Sequence, residues 1–481
     1  MAAGIDGAGV TFLLAAHSVR PAVETAAGGP VLAASVLDTL GSAAGGRREA
    51  SVVHVRRALG ATLVPGPATV WVSGERTDAP TAALLNGTTA HALDYDDVND
   101  RMSGHPSAVL WPAILAVGEE VDASGAALAE AYTVGFDTIV AVAAALDVPA
   151  HYTRGWHATA TIGTVGAAAA VSRLLGLDAA GTAHALGLAS TTAAGSRQNF
   201  GTMAKPLHAG LAARNAVEAA RFAAAGVTAD PAELDGPLGF VARFGGAGPG
   251  APRIVAELLD TPSLLAVEGL NIKSYPACYK VQRAVDAALA VLDGTPLRPE
   301  DVLSVRVTTE PEGQQPLVHH RPTDGTQAKF SMEYVVAAAL LDGRIDLFSF
   351  ADDRIARPGV DAVLRRVEPR TAPVPPVGPP TWEGGYATVE VETTTGVRTG
   401  RRDVPHGDHR DPLTWAEVVA KFDSCCRFGG TAFDPGALPA ALAAAGAGTA
   451  GLPGARAVTA TLQPAALTAT ATVTATATAT A

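Results

Sequence analysis

Chemistry-bearing residues gather in the run 195–208, GSRQNFGTMAKPLH, which holds Arg197, Lys205 and His208 beside Gly195 and Gly201. Pro206 opens an alanine-rich run, LHAGLAARNAVEAARFAAA, that reads as a helix. Proline suits the first helical position, where its missing N–H costs nothing. Lys205 is thereby expected at the helix cap, where unpaired N–H groups and the positive end of the dipole add to its own charge. Such a place binds anions. Two imidazoles repeat the arrangement: His105 precedes Pro106 in SGHPSAVLWPA, and His157 fronts the alanine-rich run after RGWH. A histidine at a helix start has its cationic form disfavoured and can stay neutral as a base. Each residue alone is equally the mark of a solvated loop, a capped helix or a buried histidine. Three together at converging helix starts describe a pocket for carboxylates.

A second cluster, ALDYDDVND, carries Asp94, Asp96, Asp97 and Asp100. Asp96 to Asp100 spells DDxxD, a spacing of hard oxygen ligands that suits magnesium and a diphosphate. No second acidic motif follows, aromatic residues make up only 5%, and nothing outlines a diphosphate pocket. No metal and no cofactor is therefore expected. HExxH, GxxxxGK[ST] and paired CxxC are absent, and GGAGPG (245–250) follows no strand while Pro249 breaks the dinucleotide pattern. His319 and His320 stand together in a loop without the third ligand that zinc needs. The adjacent Cys425 and Cys426 read as helix packing.

The elements that must position these groups are built from small side chains. Of 481 residues 48% are hydrophobic, mostly Ala, Val and Leu, which favours closely packed helices. The formal charge of -12 around a cationic pocket points to a small anionic substrate and argues against nucleic acid. No uncharged apolar run reaches membrane length, so no membrane partner is expected. The N-terminal run lacks a basic region and carries Asp6, so it does not read as a secretory signal. Three cysteines cannot form a disulfide framework, and a cytoplasmic, reducing setting is expected.

Residues 1–268 read as the first part of a helical domain, with segments at 125–146, capped by Ser124, and 163–177. The texture changes near 269. Alternation at 302–309 and again at 386–399, where TTTG turns a hairpin, frames helix-like runs at 279–292 and 331–341. Residues 269–409 thus form an α+β unit, within which PVPPVGPP (373–380) is irregular. Helical texture returns over 410–455, which makes the α+β unit an insertion. Residues 456–481 read as a disordered Thr/Ala tail. The fold class is mainly α with an inserted α+β lid.

NGTTAHALDYDDVND, SGHPSAVLWPA, RGWHATATIGTVGAAAAVSRLLGL, RQNFGTMAKPLHAG, IKSYPACYKVQRAVDAAL and AKFSMEYVVAAALLDG resemble, in order, the signature blocks of the MmgE/PrpD family. The resemblance runs from about residue 10 to 430. That family includes 2-methylcitrate dehydratase, cis-aconitate decarboxylase and iminodisuccinate epimerase. It implies a large all-helical domain, a smaller α+β lid, a homodimer, and metal-free chemistry beside a carboxylate in the cleft between domains. Carried over block by block, it places Asp94, His105, His157, Lys205, Lys273 and Tyr334 in the site. Two positions depart: Val98 stands where several members have Thr, and Cys278 where decarboxylase-type members have a histidine.

The resulting expectation is a lyase that removes a proton beside a carboxylate of a small di- or tricarboxylate. Arg197, Lys205, His208 and Lys273 would bind the substrate, and the two lysines would steady the charge that develops. His105 or His157 would take the proton, the other or Tyr334 would return one, and Asp94 would orient a histidine. Dehydration is the favoured outcome, with epimerisation or decarboxylation as alternatives; a catalytically idle binding protein is the rival of another class.

Overall fold

The computed structural model describes residues 9–20, 28–60, 63–71, 73–246, 251–378, 385–430, 436–445 and 452–461. Most of the described chain is helical. The helices that carry the site are α1 (Gly28–Gly46), α2 (Ala79–Ala90), α3 (Ser107–Val121), α4 (Gly125–Ala145), α5 (Ala158–Leu174) and α6 (Ala204–Ala224). One hydrophobic core joins them, running from Val10 to Ile272 and resuming between Val418 and Val458. A second core spans Ala277 to Val391 and takes in Phe200 from the helical part. It is built by α7 (Gln282–Val291), β1 (Val302–Thr309), α8 (Met332–Asp342), β2 (Val367–Thr371), β3 (Ala387–Thr393) and β4 (Gly396–Arg402). The sheet runs β2-β1-β3-β4. β1 pairs parallel with β2 and antiparallel with β3, and the β3–β4 hairpin turns at Thr394–Thr395. The chain then returns through α9 (Trp415–Gly429), opened by a Thr414–Glu417 capping box, and packs on α1. This is the mainly helical fold with a smaller mixed-sheet unit that the residue pattern implies.

The two strands of chain that connect the units run side by side. His409 N donates to Asn271 Oδ1 at 2.8 Å. Gly269, at φ 61°, lies so close to His409 that an added Cβ would sit 2.3 Å from the histidine's own. Both the left-handed backbone and the contact require glycine there.

Local differences from the sequence reading have physical causes. The helix expected at 163–177 starts earlier, at Ala158, and ends at Leu174. α6 starts at Ala204 with Met203 as its cap, so Lys205 and Pro206 occupy the first turn, where a proline costs no hydrogen bond. β2 was not foreseen because its sequence, VEPRT, contains Pro369. It forms as an edge strand, where proline is tolerated. The expected tail begins too early: Ala455–Ala460 is a helix, and Thr459 Oγ1 donates to Glu119 Oε1 at 2.7 Å. Residues 462–481 of that tail, and 379–380 of the Pro-rich loop, lie outside the described residues. α4 is long and apolar enough to cross a membrane by length and composition, but 78% of that stretch is buried. Its Asp137 is bonded to His17 Nε2 at 2.9 Å.

Small residues let α2 and α6 approach closely. An added Cβ at Gly210 would meet Leu84 O and Thr88 Oγ1, each at 2.2 Å, and one at Gly87 would meet Gly210 Cα at 2.9 Å. This contact fixes the first turn of α6 against the end of α2. Gly210→Ala is expected to cost about 1–3 kcal/mol by overpacking, read by urea denaturation, and to lower activity through displacement of Lys205. Wild-type stability in that variant would show that the helices have slack.

Candidate active site

The site grows from the end of α2. His91 caps that helix, and the chain then turns through residues 91–97. Asp94 sits at φ 54°, a left-handed conformation that aspartate tolerates better than most residues. The turn is fixed from outside. Three successive carbonyls each accept a hydrogen bond from a buried ammonium: Leu93 O from Lys329 at 2.8 Å, Asp94 O from Lys273 at 2.6 Å, and Tyr95 O from Lys421 at 2.7 Å. Lys329 comes from the α+β unit, Lys273 from the segment leading into it, and Lys421 from α9. Lys421 also donates to Lys273 O at 2.9 Å and lies 2.6 Å from the buried Asp38. Buried carbonyls need such partners.

Asp94 Oδ1 accepts from Lys205 at 2.9 Å and Lys273 at 3.1 Å. Burial opposes the charge on this carboxylate, but Lys205 and then Lys273 override it and hold the group far below the ordinary range. Its Oδ2 has no hydrogen-bond partner among the described residues. His91 is wedged between charges: Nδ1 donates to Asp96 Oδ2 at 2.8 Å, and Nε2 accepts from Lys205 at 2.8 Å. Burial lowers its pKa from 6.5 to about 3, against the pull of Asp96. Asp96 ionises readily because His91 and His105 outweigh its burial.

His105 Nδ1 lies 2.9 Å from Asp97 O and 3.2 Å from Asp96 Oδ2. A carbonyl can only accept, so Nδ1 carries a proton. Nε2 is 3.4 Å from Asp94 Oδ1. His157 is the N-cap of α5, and its Nδ1 meets His208 Nδ1 at 3.2 Å. Burial, then Lys205, pushes His157 well below the ordinary histidine value and His208 to about 4. A cavity of about 370 Å³ between the two units is lined by Asp94, His105, His157 and Lys205. Phe200 and Phe330 wall it, and Tyr279, Lys280, Arg283, Arg410, Glu310 and Glu312 line it as well.

Four expectations need correction. Tyr334 is fully buried in the second core, and its hydroxyl donates to Ser349 O, so it does not reach the cavity. The tyrosines that do line it are Tyr152, four residues ahead of the RGWH block's Trp156, and Tyr279. Lys273 is fully buried behind Asp94 and does not line the cavity; its ammonium holds Asp94 and does not face a substrate. Arg197 stacks on the Tyr152 ring at 3.4 Å and reaches Gln315 O at 3.4 Å, which makes it a clasp between the units outside the cavity. His208 contacts His157 and is likewise not a lining residue. Asp94 stands near His105 as expected, but Asp96 and the Asp97 carbonyl are what orient that imidazole. The DDxxD carboxylates diverge: Asp96 takes two histidines, and Asp97 accepts from Ser107 N at 3.2 Å and from its hydroxyl. Burial and then Asp38 hold Asp97 well above the ordinary range. Sequence reasoning missed His91, although it stands inside the block that supplied Asp94. Lys329 and Lys421 were missed too, each an isolated lysine in a helix-like run.

The MmgE/PrpD N-terminal domain model matches residues 31–250, and the MmgE/PrpD C-terminal domain model matches residues 275–432. The chain is 30% identical over 368 residues to cis-aconitate decarboxylase of Homo sapiens, covering 74% of each chain. It is 31% identical to cis-aconitate decarboxylase of Mus musculus, over 74% of this chain and 73% of the relative. A cis-aconitate decarboxylase of Aspergillus terreus is 27% identical over 63% of this chain and 66% of its own length.

Two outcomes follow from the buried charges. Lys421→Met leaves Asp38 unpaired and is expected to cost about 3–5 kcal/mol. The double variant Lys421→Met/Asp38→Leu regains part of that in urea denaturation, the Tyr95 and Lys273 carbonyls staying unpaired; a double variant no more stable than the single one would dissolve the pairing. In ¹⁵N-histidine spectra, His91 is expected to keep neutral shifts from pH 8 down to pH 5, because its pKa of about 3 lies below that window. Titration near pH 6.5 would show that its nitrogens are not committed as described.

Proposed function

The chain belongs to the MmgE/PrpD family, and from that premise we propose that this lyase moves a proton beside a carboxylate of a small di- or tricarboxylate. One observation carries the reading. The His105 imidazole, held through Nδ1–H on the Asp97 carbonyl, lines the same cavity as the Lys205 ammonium, which is itself anchored on Asp94 and His91. Lys205 meets the substrate carboxylate and stabilises the charge that builds on it, more in the transition state than before it. His105 and His157 handle the protons.

Decarboxylation is the first outcome proposed, and the named relatives support it. A histidine acid delivers its proton to an alkene carbon of a β,γ-unsaturated acid. The electrons of the departing C–C bond form the new double bond, and CO₂ leaves. Phe200, Phe330 and Val98 give the cavity an apolar wall, against which a carboxylate is desolvated and its loss as neutral CO₂ is favoured. Dehydration is the second outcome. Its support is that two imidazoles with different partners line the cavity: His105, beside the aspartates, can take the α-proton, and His157, beside His208, can protonate the leaving hydroxyl.

The chemistry is proposed to need no metal. Ligand atoms of His91, Asp94, Asp96 and His105 lie within 4.8 Å of one another. Lys205 already bonds His91 and Asp94, however, and His91 already donates to Asp96. An ammonium thus holds the place that an ion would take. A homodimer and a reducing compartment are part of the same proposal; the three cysteines are free and buried, in keeping with the latter.

Incubation in D₂O with aconitate-like, citrate-like and amino-dicarboxylate acids, scored for CO₂, water loss and deuterium entry, is expected to give CO₂ from an aconitate-like acid, unaffected by EDTA. His105→Ala is expected to lower kcat by about 10²–10⁴-fold with an unchanged circular dichroism spectrum. Activity of that variant within about threefold of wild type would remove His105 from the reaction.

A further inference from the structure

Lys205, Lys280, Arg283 and Arg410 all line the cleft. Three of these cations have a carboxylate of their own. Lys205 stands on Asp94 at 2.9 Å. Arg410 forms a two-pronged pair with Asp408, at 2.8 and 3.0 Å, and Lys280 has Glu310 at 3.7 Å. Arg283, the second residue of α7, is different. It is only 8% exposed. Its Nε donates to Asp403 O at 2.7 Å, and the Asp403 carboxylate is itself gripped by Arg401 at 2.8 and 2.9 Å. The guanidinium is thereby fixed through one nitrogen. Its two Nη groups have no hydrogen bond or ion pair among the described residues. A guanidinium cannot shed its charge, and a buried charge without partners is costly.

Space is left beside this group. Gly385 lines the same cavity, and an added Cβ there would stand 2.9 Å from Arg283 Nη1 and 2.8 Å from Glu310 Oε1. Glu310 thus comes near the guanidinium without pairing with it. Its Oε2 accepts from Tyr386 N at 3.1 Å, and its Oε1 faces Lys280. Asp100 and Glu312 also line the cavity, but both are exposed, where water screens them.

We propose that Arg283 binds a second carboxylate of the substrate through its two Nη groups while Lys205 holds the first. The inference rests on the polycarboxylate reading above and adds the residue that selects ligands with more than one carboxylate. The planar fork of a guanidinium matches a carboxylate in two parallel hydrogen bonds. A cavity of about 370 Å³ lies at the small end of the range for ligand sites, so a ligand that fills it meets both cations. A monocarboxylate on Lys205 leaves Arg283 unpaired, and a site with an unpaired buried polar group discriminates against such a ligand. The two cations also belong to different units, Lys205 to α6 and Arg283 to α7. A polycarboxylate therefore ties the helical unit to the α+β unit, and a monocarboxylate does not.

The test measures binding, not turnover, with tricarballylate by calorimetry and butyrate by NMR titration. Wild type is expected to bind tricarballylate at least about tenfold more tightly than butyrate. Arg283→Gln is expected to weaken tricarballylate about tenfold or more and to leave butyrate within about threefold. Arg283→Lys, which keeps the charge and loses the fork, is expected to fall between them. Wild-type affinity of Arg283→Gln for tricarballylate would overturn the inference, and so would an equal loss for both ligands, which marks a structural role. Should Arg283→Gln fail to fold by circular dichroism, Arg283→Lys decides on the same two ligands: a loss confined to tricarballylate supports the assignment, and none overturns it. A wild type with no preference for tricarballylate would instead defeat the polycarboxylate reading itself.

Discussion

The site depends on one buried carboxylate. Asp94 alone in this interior would take up a proton and forgo its charge. Two ammonium groups on a single oxygen keep it ionised, and because each is itself buried, neither can lose it without becoming an orphan. Lys205 arrives from the helical unit, and Lys273 from the segment that leads into the α+β unit. The carboxylate is therefore one of the points at which the two units are joined as well as the anchor of the cation in the cleft. Beneath it, Lys421 on Asp38 secures the neighbouring carbonyls of Tyr95 and Lys273. Charges in such a network specify geometry more than they add stability.

Small side chains make that network possible. Lys205 reaches His91 only because α6 lies almost backbone to backbone on α2, through Gly87 and Gly210. Alanine supplies 4 of the 12 residues of α2 and 9 of the 21 of α6. The price is a core with few large groups to lock its register, and the buried polar groups at the helix ends take over that task. His157 as the cap of α5 and His91 as the cap of α2 are at once structural termini and members of the site.

Much of this was legible in the chain. Helix texture, the strand alternation and the TTTG hairpin are local signals, and each produced the expected element. The order of the signature blocks pointed to the family. His105, His157 and Lys205 were legible as site residues because helix starts gather unpaired N–H groups and polar side chains, whereas Asp94 was placed by the resemblance of its block. What failed depended on direction in space. Tyr334 and Lys273 lie in the right blocks, but one turns into its own core and the other stops behind Asp94. Arg197 faces the ring of Tyr152, which no spacing announces. Lys329 and Lys421 are single charges in apolar surroundings, and only the folded chain reveals the carbonyls they satisfy. β2 was hidden by Pro369, since a proline argues against a strand until the strand is known to be an edge.

The charge count at the inner end of the cleft bears on how an acid–base reaction runs there. Asp94 and Asp96 are ionised, Lys205 and Lys273 offset them, and burial keeps His91, His157 and His208 neutral. The resting cluster is therefore close to electroneutral, and it does not present the simple cationic pocket that its sequence suggests. A polycarboxylate entering it brings negative charge next to neutral imidazoles and excludes water. Nearby negative charge favours the protonated imidazole, whereas burial opposes it. On the proposed function, substrate arrival then supplies what the empty cleft withholds: it raises the proton affinity of the histidines and draws in the proton that the reaction consumes. The acid is assembled by its own substrate, and a neutral resting site avoids the cost of holding a buried imidazolium beside lysine between turnovers.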